Sequence, residues 1–226
     1  GSGDKKIAVV GDSVGYGLAF QFPAGSYPGV SVTGSAKIGC GTAEQWLVVN
    51  GVRQSQDNPE CRDVFSGWEN AVKSSNAKVV VWSMGGWDVY DHYVDGKVLK
   101  EQSPEYARYY RSRLEKGLAA FGPKTQVFIP KVACYDQPKF EVEGQDLALD
   151  RNDPARAKAL NAIIDDFAKA HSDRVHAVDP SSWLCKDGKP IEKIDGKVMR
   201  EDGVHYTSDG AKKFWAWLMP QLKSHL

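Results

Sequence analysis

Near its start the chain runs Ile7-Ala8-Val9-Val10-Gly11-Asp12-Ser13-Val14-Gly15, and no other stretch narrows its choice of fold so sharply. The unbroken aliphatic run suits a strand buried on both faces, as in a parallel sheet covered by helices. Gly11 permits a tight exit from that strand, and residues 14–22 can continue as an apolar helix. Ser13 then stands at the carboxyl end of a strand, where open α/β sheets bind their ligands. It also stands at a helix N-terminus, whose free N–H groups can receive an oxyanion. By itself a serine there is an ordinary helix cap.

The alternation of strand and helix continues to the end. Residues 30–33 read as a second strand, followed by a glycine-rich loop at 36–42. Ser66 is expected to cap a helix reaching about residue 75. Residues 78–84 form the strongest strand signal and break at Gly85-Gly86. Ser103-Pro104 and Asp153-Pro154 each supply a cap and an N1 proline for a long helix. Strands at 125–130 and 174–178 and a last helix opened by Thr207 or Ser208 complete the series. The pattern predicts a three-layer α/β/α sandwich on a five-stranded parallel sheet. Residues 50–63 read as polar turns, 89–102 as an irregular excursion, 131–152 as a long loop, and 186–200 as a loop or small hairpin.

Lys plus Arg equals Asp plus Glu at 29 each, with no long run of one sign, which argues against a nucleic-acid partner. No stretch approaches the length of a membrane span. The opening Gly-Ser-Gly is expected to be an expression scar at residues 1–3, with residues 4–226 a single domain cut from a longer protein. Cys40, Cys61, Cys134 and Cys185 contain no C-x-x-C pair, so neither a metal nor a cofactor is expected. Four cysteines allow three pairings. Cys40–Cys61 with Cys134–Cys185 is the unnested choice joining nearby segments, and it implies an oxidising compartment. The alternative is four unrelated thiols.

Asp202-Gly203-Val204-His205 immediately precedes the last helix, so topology can bring it to Ser13. His205 would take the Ser13 proton while Asp202 orients the imidazole. His92, in the excursion after the third strand, could line the site but reads first as structural or solvated, as do His171, His176 and His225. Gly11-x-Ser13-x-Gly15 formally matches the α/β-hydrolase elbow, but that fold needs several strands before its nucleophile and only one precedes Ser13. Gly15-Tyr16-Gly17 lacks the rest of a dinucleotide fingerprint. Asp165-Asp166 belongs to a solvated helix face.

Four ordered blocks resemble the SGNH (GDSL-like) hydrolases: Gly11-Asp12-Ser13, Gly39, Gly85-Gly86-Trp87-Asp88 and Asp202-x-x-His205. The resemblance implies a flavodoxin-like sheet, Ser13 as nucleophile, His205 as base, Asp202 as third member, and an oxyanion hole from the Ser13 and Gly39 N–H groups. That family usually carries Gly-x-Asn-Asp in its third block, and Trp87 replaces the asparagine. Trp87 is therefore expected as a wall or sugar platform. Asp88 is expected beside it at the substrate site, bracing loops as a buried acceptor. The Gly-Trp-Asp form resembles SGNH domains fused to membrane acyltransferases of the acyltransferase-3 family. That implies an extracytoplasmic O-acyltransferase receiving acyl groups from a membrane domain of the same polypeptide and passing them to a glycan. A carbohydrate or lipid esterase and a non-catalytic glycan-binding domain are the alternatives.

Overall fold

The computed structural model describes residues 5–55 and 57–226; the proposed scar at 1–3 lies outside them. Five parallel strands form the central sheet: β1 (Lys5–Gly11), β2 (Val30–Ala36), β3 (Val79–Ser83), β4 (Gln126–Pro130) and β5 (Val175–Val178). Their spatial order is β5-β4-β3-β1-β2. The order reverses at β1, which pairs with β2 on one side and β3 on the other. A crevice opens at such a reversal, beyond the carboxyl ends of the strands.

Successive residues of these strands point to opposite faces, and both faces are apolar. Ala8, Val10, Val80, Trp82, Val127 and Ile129 join one core cluster. Ile7, Val9, Val79, Val81 and Phe128 join the other. The first is covered by α2 (Val64–Ser75), α3 (Pro104–Ala120) and α4 (Pro154–Ala170). The second is covered by α1 (Ser13–Phe20) and α5 (Ser208–Leu222). This is why the strands read as continuous apolar runs rather than as alternating ones.

Three features differ from the expectations drawn from the sequence. Helix α2 starts at Val64, capped by Asp63, which accepts from both the N–H and the hydroxyl of Ser66. Ser66 thus supports the cap as a donor. Strands form within the segments expected as turns and as an excursion, and Leu47–Val49 pairs with both. Val52–Arg53, Leu47–Val49, Asp91–Val94 and Lys97–Leu99 form a four-stranded antiparallel sheet. The long loop also contains a two-stranded ribbon and a short helix, Leu147–Arg151. Two disulfides, Cys40–Cys61 and Cys134–Cys185, tie these additions to the sandwich. The second closes 51 residues and would add about 4 kcal/mol on the chain-entropy account.

At the centre of the first cluster Trp82 is fully buried, stacked edge-on against Trp68 and Phe121. Helix α3 crosses its ring at Gly117, where a Cβ would lie 2.4 Å from the indole. Gly→Ala inside a helix ordinarily gains about 1 kcal/mol. Here the overlap with a ring that has nowhere to move dominates, at about 1–3 kcal/mol. Gly117→Ala should therefore lower unfolding stability in urea. A gain would show that the indole has room to shift.

Candidate active site

Two elements from opposite ends of the chain meet in the crevice. On the first, Gly11 adopts φ 120°, and a Cβ there would fall 1.7 Å from the Ser83 carbonyl oxygen. Glycine alone fits this approach. The chain then turns so that Asp12 donates its N–H to the Ser83 carbonyl at 3.3 Å. Its carboxylate caps α1, accepting from Val14 N–H at 3.1 Å and Gly15 N–H at 3.4 Å. Ser13, the first residue of α1, is left half-buried with its hydroxyl toward the crevice.

The second element is the turn before α5. Arg200 and Tyr206 bridge across it, and Thr207 caps the helix through Gly210 N–H. Gly203 has φ 73°, with the Asp136 carbonyl where a Cβ would go. Asp136 in turn donates its N–H to the Gly203 carbonyl at 3.1 Å. The loop that grips the turn is thus only two residues from Cys134 and its bridge to Cys185. The turn is registered on α1 by the Gln21 amide, which donates to the Tyr206 carbonyl at 3.1 Å. Trp215 Nε1–H, on α5, donates to the Leu18 carbonyl at 3.0 Å.

With both elements fixed, Ser13 Oγ lies 2.7 Å from His205 Nε2, and His205 Nδ1 lies 2.6 Å from Asp202 Oδ2. Asp202 Oδ1 accepts the Val204 and His205 backbone N–H groups at 2.9 and 2.7 Å. Partial burial pushes the Asp202 carboxyl up, but those N–H groups and the imidazole outweigh it and hold it below the ordinary carboxylate range. An ionised Asp202 fixes the proton on Nδ1 and leaves the Nε2 lone pair facing the serine hydroxyl. Chemically the row can pass a proton from Ser13 to His205.

Gly39 lies in the loop after β2 with φ 83°. The loop starts beside the serine turn, because Lys37 N–H donates to the Gly11 carbonyl at 2.8 Å. Among the described residues, neither the Ser13 N–H nor the Gly39 N–H has a hydrogen-bond partner. Trp87 is half-buried and shares a cavity wall with Gly39. Its ring is stacked on the Arg151 guanidinium at 4.4 Å.

Asp88, next to Trp87 in the chain, lies behind the cavity wall rather than in it. It is fully buried, and its carboxylate accepts from Thr42 N–H, Ala43 N–H and the Tyr110 hydroxyl at 3.2, 3.0 and 2.6 Å. Those bonds hold the loop after β2 to α3 and leave no oxygen for a ligand. His92 is not solvated: it is 1% exposed and part of the cavity wall, the second of the two places the sequence left open for it. The alternation of Asp91 and Tyr93 outward with His92 and Val94 inward was the signal for it. Arg151 was missed altogether. It is buried, donating from Nε to the Gly86 carbonyl at 2.8 Å, and no local motif announces it.

Burial pushes the Asp12 carboxyl up to about 6, and the nearby Asp88 adds to the rise, against the Gly15 N–H, the Ser83 hydroxyl and the Arg151 guanidinium. The folded-state value exceeds that of the unfolded chain. Ionised Asp12 therefore costs stability above pH 6, and protonation removes the cost as the pH falls toward 4. Asp12→Asn keeps an oxygen for the α1 cap and cannot ionise. It should raise stability at pH 8 by up to about 3 kcal/mol, with the advantage shrinking near pH 4. Urea midpoints at the two pH values check this, and a gain independent of pH would refute it.

The fold is similar to those of solved lipase and esterase structures. A GDSL-like lipase from Bacteroides thetaiotaomicron matches with TM-score 0.62 and 17% identity, over 98% of this chain and 89% of that one. The native aryl esterase of M. smegmatis matches with TM-score 0.59 and 17% identity, over 98% of this chain and all of the other. At such identities the likeness concerns the fold. No curated protein sequence matches the chain. The family model described as the SGNH domain fused to AT3 domains matches residues 1–216, and the chain belongs to that family.

Proposed function

We propose that this domain is a serine acyl-transfer enzyme that works through an acyl-Ser13 intermediate and, in its full-length protein, O-acylates a cell-envelope glycan. The row of contacts from Ser13 through His205 to Asp202, at 2.7 and 2.6 Å, carries this reading. As His205 Nε2 takes the proton, Ser13 Oγ bonds to the carbonyl carbon of an acyl donor. The N–H groups of Ser13 and Gly39 would receive the developing oxyanion. Such donors stabilise the transition state by about 2.7–4 kcal/mol each. The donor's carbonyl-to-oxygen bond then breaks, and His205 protonates the leaving oxygen. An acceptor hydroxyl next gives its proton to His205 and attacks the acyl-Ser13 carbonyl; the bond from that carbon to Ser13 Oγ then breaks as His205 returns the proton to Oγ. No cofactor enters these steps.

The transfer reading is supported by a family description that joins this domain to AT3 domains. On this reading such a domain supplies the acyl group and anchors the protein in the membrane. The two disulfides favour an oxidising, extracytoplasmic location. No helix among the described residues is long and apolar enough to cross a membrane, and residues 4–226 are read as a single domain. A second reading, an esterase using water as acceptor, is favoured by the lipase and aryl esterase structures that share the fold.

Ser13→Ala and His205→Ala should each cut hydrolysis of an aryl acetate by about a thousandfold or more. Asp202→Asn should retain a measurable fraction, because nucleophile and base act as a unit while the orienting acid is partly replaceable. Wild-type rates in Ser13→Ala would refute the nucleophile. A wild-type protein that neither hydrolyses the ester nor takes a fluorophosphonate label at Ser13 would be a glycan-binding domain. Mass spectrometry of products formed with sugar acceptors present separates the two enzymatic readings. O-acetylated sugar supports transfer, and free acetate alone supports the esterase.

A further inference from the structure

A cavity of about 90 Å³ opens between the glycine-rich loop after β2 and the four-stranded antiparallel sheet. Gly39, Trp46, Gln54, Trp87 and His92 form part of its wall. Gly39 belongs both to this wall and to the proposed oxyanion hole, so an occupant would lie next to the acyl group. The cavity adjoins a groove of about 270 Å³ that shares Glu44, Gln45, Trp46 and Cys61 with it.

Four properties of the wall describe the occupant. His92 Nδ1 sits 2.7 Å from the Tyr90 carbonyl, to which it donates, and its Nε2 has no partner among the described residues. Burial pushes the imidazole's pKa down, so Nε2 is a neutral acceptor. Gln54 is 3% exposed, and its Oε1 likewise has no partner. Its Nε2 reaches only the Val52 carbonyl at 3.5 Å. Two acceptors in one wall call for a ligand that brings several hydroxyl or amide protons.

Both indoles in the wall are held rigidly. The Arg53 guanidinium lies 4.4 Å from the Trp46 ring and 4.1 Å from that of Tyr93. Trp87 is held in the same manner by Arg151. Trp46 also adopts φ 87°, a conformation that a bulky residue avoids and that clusters at ligand-binding positions. Rigid indole faces suit the apolar C–H face of a sugar ring at little entropic cost. Finally, Glu44 is the single charged side chain of the cavity wall among the described residues, and it lies 3.7 Å from Arg113. No free charge remains to match a charged ligand.

We propose that this cavity is the acceptor subsite and takes an uncharged pyranose, with its ring against Trp46 and Trp87 and hydroxyl groups donating to His92 Nε2 and the Gln54 carbonyl. The adjoining groove gives the next sugar unit of a chain a place to lie. The assignment of this sugar as acceptor rests on the acyl-transfer reading, whereas its binding does not.

The test is an NMR titration of ¹⁵N-labelled Ser13→Ala, which cannot turn over an acyl donor. The probes are the methyl pyranosides of glucose, galactose, mannose, rhamnose and N-acetylglucosamine, with methyl glucuronide as the charged control. At least one neutral pyranoside should shift the indole N–H signals of Trp46 and Trp87 and the side-chain amide of Gln54. His92→Phe, which retains a ring to stack on Tyr106, should weaken binding about tenfold or more. Gln54→Met should do the same if the first variant fails to fold. The proposal is overturned if no neutral pyranoside moves these signals, if shifts fall elsewhere, or if the glucuronide binds equally well. Binding without any acyl transfer to the bound sugar in the wild type would sink the transferase reading and leave the subsite intact. Transfer to a sugar that leaves Trp46 and Trp87 unmoved would do the reverse.

Discussion

At the carboxyl edge of the sheet two backbones come into direct contact. Gly11 leaves no room for a methyl group beside the Ser83 carbonyl. Because β1 and β3 close so tightly there, the chain leaving β1 has to turn at once, and the first peptide after the turn donates back to Ser83. That turn sends Asp12 inward as a helix cap and starts α1 with Ser13 at the crevice. A wider exit would move the hydroxyl away from the turn that carries His205. Gly15, whose own Cβ would lie 2.9 Å from Ser83 Cβ, keeps α1 equally close.

Beneath this turn the protein accepts an electrostatic penalty. Asp12 and Asp88 are both buried; burial raises the energy of the Asp12 charge, and the neighbouring Asp88 adds to it. Burying like charges is tolerated only where hydrogen-bond donors surround them. Here the donors come from several elements: the first turn of α1, Ser83 at the end of β3, the loop at Thr42 and Ala43, and Tyr110 on α3. The Asp88 carboxylate joins the loop after β2 to α3, and that of Asp12 joins the first turn of α1 to the end of β3. Gly41 must lack a side chain for the same reason, since a Cβ would sit 2.3 Å from Asp88 Oδ1. Stability given up in the polar layer is offset by the two apolar layers on either side of the sheet.

The parts legible from sequence are those fixed by local rules. Strands buried on both faces announce themselves by apolar runs, and the proposed relay lies in two short motifs, Gly11-Asp12-Ser13 and Asp202-x-x-His205. The four-stranded sheet was not legible, because its strands span two to four residues and pair Leu47 with His92 across the chain. Its turns did carry a signal. Asn50-Gly51 and Asp95-Gly96 both adopt the paired positive φ of tight hairpins. Glu143-Gly144, Asp187-Gly188 and Asp195-Gly196 repeat it. At α2, Asp63 and Ser66 are both favoured caps three residues apart, and composition alone does not choose between them. Buried Arg151 depends wholly on tertiary contacts, and so does the single cavity shared by His92, Gln54 and Trp46.

Ser13 and His205 stand 192 positions apart, and this separation gives the domain an order of assembly. Within this domain the ribosome delivers the serine early and the imidazole late. The intervening chain must lay down all five strands before α5 can settle against Leu18. Until then the Ser13 hydroxyl has no imidazole beside it. The contact between the two side chains forms in one late event, the docking of α5, and coincides with completion of the fold.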